Sequence, residues 1–428
     1  MIRDPKSDTR RSAPILAALL GGVAMFGAAG AAASAADQAP ARVEITEVGP
    51  VFATSSGMTL YNWAADAATP GISKCTNAHY QIQSEANYGN FPLPAPATRK
   101  TCAEKWPPFL ASADAKATGD WSLIHRPDGA MQWAFQGRPL YASAKDHRPG
   151  DVNGEPVNVR DRAGWHVAKA PLDFPPGFKL VRLPEGLVLA TEDGRPAYVR
   201  RGGRIQRTSS ASTELLQPIA APGLGHVTGK WSIVDGAAGS RQYAFDGEAL
   251  YVLPVGLSET DIKEAGWTSA IFRRAAPLPP QIHTRPTILG HIYTAADGKS
   301  LYVLSCAELG APDALPCDDP GDAAVYWSAL CGAPAECSRR WRPYLAPANA
   351  RPSGEWTIEE VSDPPFLDAA GATYPPGTPR VKAWAYRGKP LYTFVDDDVP
   401  GETLGHAIQY WNRSAFTVVN TPGEYRDN

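Results

Sequence analysis

Three tyrosines are each followed five residues later by an aspartate: Tyr61 and Asp66, Tyr141 and Asp146, Tyr392 and Asp397. On an extended strand, positions i and i+5 point to opposite faces. The two side chains can therefore share a site only if the chain turns between them. Two kinds of chemistry fit. Carboxylates gathered at one rim of the fold would bind a cation or a polar ligand. Alternatively, each aspartate accepts backbone N–H bonds as an Asx-turn ahead of the D-x-x-P-G segment. Asp396-Asp397-Asp398, and Asp318-Asp319 with Asp322, resemble the oxygen ligands that calcium takes. Neither has the spacing of a calcium loop, and solvated acidic loops are the reading that fits both.

The eight histidines (His79, His125, His147, His166, His226, His283, His291 and His406) show no H-x-H or H-E-x-x-H spacing. There is no G-x-S-x-G elbow and no phosphate-cradling glycine loop. Catalytic residues, metal ligands and cofactors are therefore not expected. The six cysteines (Cys75, Cys102, Cys306, Cys317, Cys331 and Cys337) include no C-x-x-C pair, so they read as disulfides of an oxidising compartment.

Residues 1–36 read as a cleavable signal peptide. Arg3, Lys6, Arg10 and Arg11 precede an apolar run from Ile15 to Gly30, and Ala33-Ser34-Ala35 supplies the small residues of a cleavage site. The run is interrupted by Gly21, Gly22 and Gly27, which leaves it short for a membrane span. Removing it takes away four basic and two acidic groups and moves the formal charge from −3 to −5. A mildly acidic chain without a basic stripe excludes nucleic acid as a partner. No later segment is long and apolar enough to span a membrane, and a periplasmic or secreted location is expected.

The elements that must position these residues are strands. With 41 Pro, 39 Gly, 12 Trp and 16 Tyr, the composition is that of short strands joined by turns. One pattern occurs three times: G-x-W-[ST]-[LI], then aromatic-Ala-aromatic, then a glycine turn and a strand ending in Tyr. The copies run from Gly119 through Trp133-Ala134-Phe135 to Tyr141, from Gly229 through Tyr243-Ala244-Phe245 to Tyr251, and from Gly354 through Trp384-Ala385-Tyr386 to Tyr392. Ahead of each lies the same glycine-to-tyrosine spacing, at Gly57 and Tyr61, Gly194 and Tyr198, Gly298 and Tyr302.

The aromatic-Ala-aromatic alternation puts both rings on one strand face. The glycine after it allows a hairpin turn, and Leu and Tyr of the next strand then face opposite ways. The chain is thus expected to be all-β, with six four-stranded antiparallel units in three tandem pairs at 42–171, 177–275 and 284–421. A six-bladed β-propeller accommodates six such units, and three tandem β-barrels or sandwiches are the alternative. Because the tryptophans recur at fixed repeat positions, they are expected in the core rather than as sugar-stacking platforms.

Gly57-Met58-Thr59-Leu60-Tyr61-Asn62-Trp63 with Asp66, Cys102-x-x-x-Trp106-Pro107-Pro108, and Gly137 to Tyr141 followed by Asp146 and Pro149-Gly150-Asp151 together resemble the bacterial secreted-repeat family of predicted lipoproteins. Tyr392, Asp397 and Pro400-Gly401-Glu402 repeat the end of the pattern, and Cys337 and Trp341 repeat its cysteine-to-tryptophan spacing. The likeness covers most of 50–165 and 290–412. The middle copy lacks the aspartates and the cysteines. The resemblance implies an envelope location and an activity that is uncharacterised for the family, although this chain lacks the lipid-bearing cysteine of many members.

Matching positions in the first and third copies point to Cys75–Cys102 and Cys317–Cys337, which leaves Cys306–Cys331. Of these, Cys75–Cys102 is the pairing that position supports best. The function expected is binding or scaffolding in the cell envelope, with an unknown envelope protein or polymer as partner. The alternatives are a glycan hydrolase or lyase, which would require Asp66, Asp146 and Asp397 to converge, and a structural or stress component of the envelope.

Overall fold

The computed structural model describes residues 39–78, 100–157, 164–200, 216–223, 227–236, 239–254, 262, 266–305, 339–362, 379–406 and 415–422. The signal-peptide reading, residues 208–213, Asp318, Asp319, Asp322, Cys306, Cys317, Cys331 and Cys337 lie outside them.

Each copy folds into the same three parts, and all the pairing is antiparallel. The first copy begins with a hairpin of β1 (Arg42–Thr46) and β2 (Gly49–Ala53). Next come β3 (Leu60–Trp63) and a short helix α1 (Cys102–Lys105), capped by Thr101 and Glu104. A meander of β4 (Trp121–His125), β5 (Met131–Phe135) and β6 (Arg138–Pro139) follows. The copy closes with β7 (Tyr141–Ala142) and β8 (Trp165–Val167).

The middle copy repeats the plan. Its hairpin is β9 (Phe178–Leu183) and β10 (Gly186–Thr191), followed by β11 (Ala197–Arg200) and β12 (Gln217–Pro218). Its meander is β13 (Trp231–Asp235), β14 (Arg241–Phe245) and β15 (Glu248–Ala249), and it ends with β16 (Tyr251–Val252), β17 (Trp267–Ser269) and β18 (Ile271–Arg274). In the third copy the hairpin is β19 (Ile282–Thr287) and β20 (Gly290–Ala295), followed by β21 (Tyr302–Ser305) and β22 (Trp341–Pro343). The meander of β23 (Trp356–Ser362), β24 (Arg380–Tyr386) and β25 (Lys389–Pro390) leads to β26 (Tyr392–Phe394) and β27 (Ala415–Val418).

The all-β expectation and most strand positions hold, but the pairing corrects the four-stranded meander expected of each unit. After β6 the chain leaves the meander. β7 and β8 flank β3 in the order β7-β3-β8, and the matching strands give β12-β16-β11-β17 and β22-β26-β21-β27. The cause lies in two adjacent residues. Leu140 packs with Trp121 and Trp133 in one core, while Tyr141 packs with Tyr61, Trp106 and Trp165 in another. Because successive side chains of a strand face opposite ways, this strand is shared between two cores. The two units of each pair are therefore interleaved.

The hairpin turns match the sequence. Gln136 and Gly137 have φ of 50° and 75°, and Asp246-Gly247 and Arg387-Gly388 do the same. Positive φ at both central residues is the two-residue turn that suits twisted strands. These turns also make one polar pair per copy, between the residue after the G-x-W glycine and the non-glycine turn residue. Gln136 Nε2 donates to Asp120 Oδ2 at 2.9 Å, Lys230 Nζ to Asp246 Oδ2 at 3.0 Å, and Arg387 Nε to Glu355 Oε1 at 2.6 Å. The first two pairs are exposed and the third is buried.

The third pair is buried because the copies meet there. Arg182 of the middle copy bonds Glu355 Oε2, and Arg387 bonds the carbonyl of Pro156 in the first copy. Arg273 bonds the carbonyl of Ile45, and the Ala276 N–H donates to Glu47 Oε1 at 3.3 Å. Each copy is thus bonded to both of the others. All the described tryptophans are buried, so they are core residues, as expected. No helix among the described residues is long and apolar enough to cross a membrane.

Candidate functional site

Tyr61 and Tyr141 lie directly opposite one another across β3 and β7. Each strand then turns sharply. After β3 the chain enters a 3-10 turn at Ala64–Ala68 that carries Asp66, and after β7 it enters the loop that carries Asp146. Both turns swing the aspartate across to the other motif's tyrosine. Tyr61 Oη donates to Asp146 Oδ2 at 2.8 Å, and Tyr141 Oη donates to Asp66 Oδ2 at 2.7 Å. The two Tyr-x4-Asp motifs have exchanged aspartates.

The third copy keeps one of these bonds. Tyr302 and Tyr392 are opposite in register, and Asp397, five residues after Tyr392, accepts from Tyr302 Oη at 2.7 Å. The position five after Tyr302 is Ala307. In the middle copy Tyr198 and Tyr251 are also opposite, but the positions five after them are Gly203 and Gly256. The tyrosine pair belongs to all three copies, and the number of aspartates falls from two to one to none.

The second oxygen of each aspartate holds a loop. Asp66 Oδ1 accepts the Lys74 N–H at 2.8 Å, Asp146 Oδ1 that of Asn153 at 2.9 Å, and Asp397 Oδ1 that of Leu404 at 3.0 Å. The expectation of backbone N–H acceptance is met at longer range than an Asx-turn. The tight turn itself is capped by residues that sequence reasoning missed as functional. Asp151 Oδ2 accepts from the N–H groups of His147 and Arg148 at 3.0 and 2.9 Å, and Glu402 Oε2 from those of Asp398 and Val399 at 2.6 and 2.8 Å. The acidic residue closing P-G-[DE] was the available signal. Asp396 pairs with Arg340 at 3.3 Å.

Burial sets the electrostatics. Asp146 is pushed up to about 7, chiefly by desolvation, although the Asn153 N–H and Tyr61 hydroxyl pull the other way. Desolvation also raises Asp66 and Asp397. Tyr61, Tyr141 and Tyr302 are raised by burial and by the neighbouring carboxylates, so none is poised to ionise.

The clasp is tied to the disulfide. Cys75 and Cys102 are bonded as expected, and both pack in the core that holds Tyr61 and Tyr141. Arg126 donates to Ser73 Oγ at 2.8 Å and to the Cys75 carbonyl at 3.0 Å, and Ser73 Oγ lies 2.8 Å from Tyr141 Oη. Trp106 stacks on Trp165 at 3.9 Å and Trp165 on Trp63 at 5.2 Å, closing the other side of the core.

Asp66 and Asp146 thus serve neighbouring tyrosines of the first copy, whereas the bonds of Asp397 lie within the third copy. The three carboxylates share no bonding partner. No curated protein and no solved structure matches the chain. A family model does match, over residues 43–80 and 122–169, which span β1 to the turn after Cys75 and β4 to β8. Those stretches carry both tyrosines and both aspartates of the exchanged clasp, and over them the first copy is similar to a secreted repeat of unknown function, which supports an exported location.

Proposed function

We propose that this is a non-catalytic binding or scaffold protein of the bacterial cell envelope, exported by the leader at residues 1–36 and working in the periplasm or outside the cell. The observation that carries this reading is the bonding of Asp66, Asp146 and Asp397. Each has one oxygen on a tyrosine hydroxyl and the other on a backbone N–H. Carboxylates engaged in this way brace loops, and the motif reads as a fold-defining clasp. Bonds running from each copy to both others support one body, such as a propeller built from six units, over three separate barrels or sandwiches. The proposed segments are 42–171, 177–275 and 284–421.

A glycan-acting enzyme is the second reading. It is favoured by Asp146, since a carboxyl group near 7 suits general acid–base work. One experiment separates the two. The full-length gene is expressed with its leader, and the exported protein is cross-linked in the envelope and incubated, when purified, with envelope glycan. The scaffold reading expects a stoichiometric cross-linked partner or polymer and intact glycan. Glycan cleavage that disappears in Asp146→Asn would overturn it.

A further inference from the structure

One of the clasp aspartates lies beneath a junction between copies. Asp146 is buried, and both donors bonded to it, the Tyr61 hydroxyl and the Asn153 N–H, are neutral. Asn153 is fixed from a second side, because its Nδ2 donates to the Lys145 carbonyl at 2.8 Å. The third copy packs on this residue. A Cβ added at Gly388 would lie 3.1 Å from the Asn153 Cβ, and the adjacent Arg387 bonds the carbonyl of Pro156. Glu359 of β23 feels Lys145, His147 and Asp151 of the same loop. Residues 145–156 thus form a face of the first copy against the meander of the third. Asp397 holds Leu404 as Asp146 holds Asn153, yet Leu404 is exposed.

The surrounding charges do not offset the burial of Asp146. Lys145 favours its ionised form and Asp151 opposes it. Arg148, another cation of the loop, is committed to Asp151 at 3.1 Å. Glu155, which acts on Tyr61, adds a carboxylate on that side; it lies 3.7 Å from His166 and also feels Arg387. Arg42 of β1, beside Gly57, is paired with Glu44, and α1 meets the loop through the Lys105 carbonyl, which accepts the Ala144 N–H at 2.9 Å. Glu359 brings one more carboxylate from the third copy, itself pushed up by burial. Desolvation outweighs the two bonds and pushes Asp146 up to about 7. The closed loop therefore favours the neutral carboxyl, which still accepts hydrogen bonds. A loop opened to water favours the carboxylate.

We propose that the protonation of Asp146 gates the junction between the first and third copies. With the carboxyl neutral, the loop stays closed on Asn153 and supports the Arg387-Gly388 turn. Ionisation favours an opened loop in which water solvates the carboxylate, and the turn loses its support. The junction loosens as pH rises from about 4 to about 7, and levels off once Asp146 is ionised in both forms. The pH of the compartment then sets how firmly the two outer copies are held together.

Hydrogen–deuterium exchange on the full exported chain tests this between pH 5 and pH 9, with labelling times scaled to hold intrinsic exchange constant. Peptides covering 147–156 and 386–390 should lose protection together, by about tenfold or more from pH 5 to pH 8, and then level off. At every pH both should stay less protected than the β13–β14 hairpin, which marks local opening rather than unfolding. Asp146→Asn should flatten the profile of both peptides, and Glu359→Gln should leave the step in place. A flat profile in the parent, loss confined to 147–156, protection no lower than that of β13–β14, or an unaltered profile in Asp146→Asn would each overturn the proposal. Should Asp146→Asn fail to fold, the paired loss in the parent decides. The clasp reading of the previous subsection rests on the bonds themselves and is untouched by any of these results.

Discussion

Tyr61 donates its hydroxyl hydrogen to Asp146, 85 residues away, at 2.8 Å, rather than to the Asp66 of its own motif. Tyr141 returns the bond to Asp66. A short motif repeated along the chain is thus satisfied only between repeats. The tyrosines are central to the β3–β7 pair, and the aspartates fix the loops that follow each strand. The motif therefore joins the two units of a pair and shapes their loops at the same time.

Stability should fall as pH rises from about 4 to about 7. Burial pushes Asp146 up from its ordinary 3.8 to about 7 in the folded chain, so between those values the folded state holds the extra proton. The stabilisation is fully present below the unfolded pKa and is lost as pH rises through 7, by up to about 4 kcal/mol. Asp66 and Asp397, also raised, act in the same direction. Glu155 and Glu355 are lowered, so their contribution is lost instead on strong acidification. Urea unfolding at pH 5 and pH 8 measures the difference, and Asp146→Asn should remove most of it.

The three equivalent turn pairs should differ in energy. Glu355 sits between two guanidinium groups, and Glu355→Gln leaves the buried Arg387 and the part-buried Arg182 uncompensated, at a cost of about 3 kcal/mol. Asp120→Asn and Asp246→Asn, at exposed positions, should cost less than about 1 kcal/mol. Chemical denaturation of the three variants gives the comparison. Equal losses would mean that the third pair is not the junction of the copies.

Glycine at 57 carries a different demand from glycine at 150. Gly57 has φ of +89°, and an added Cβ would lie 2.8 Å from Pro149, in the loop that Asp146 holds. Gly150 has φ of +80° and open space. Gly57→Ala should therefore cost about 2–3 kcal/mol and Gly150→Ala about 1 kcal/mol, the second from backbone conformation alone. Thermal melts of both variants test the difference.

Breaking the Cys75–Cys102 bond should cost about 3–4 kcal/mol for a separation of 27 residues. The Cys75→Ala, Cys102→Ala variant, compared with the parent by urea midpoint, gives the value. Loss of the bond also frees the segment that Ser73 and Arg126 tie to Tyr141.

Much of this was legible in the sequence. The spacing of Trp133, Phe135 and Gly137 gave the hairpins, and Cys75–Cys102 followed from matching positions in two copies. The interleaving was not, because Leu140 and Tyr141 face two cores that are assembled from distant segments. The exchange of aspartates was hidden for a related reason: it depends on Tyr61 standing opposite Tyr141, a register that spacing within one motif does not state. Arg182 left no signal at all. It stands where the other copies have Ile45 and Pro286, as the hairpin registers show, and it acts only because the third copy brings Glu355 to it.

The exchanged clasp is tested most directly by two double-mutant cycles on stability, one joining Tyr61→Phe with Asp146→Asn and the other joining Tyr61→Phe with Asp66→Asn. The crossed pair should show a coupling energy of about 1 kcal/mol or more, and the pair within one motif a value near zero. Coupling confined to Tyr61 and Asp66 would contradict the exchange, and with it the reading of the motif as a clasp between repeats.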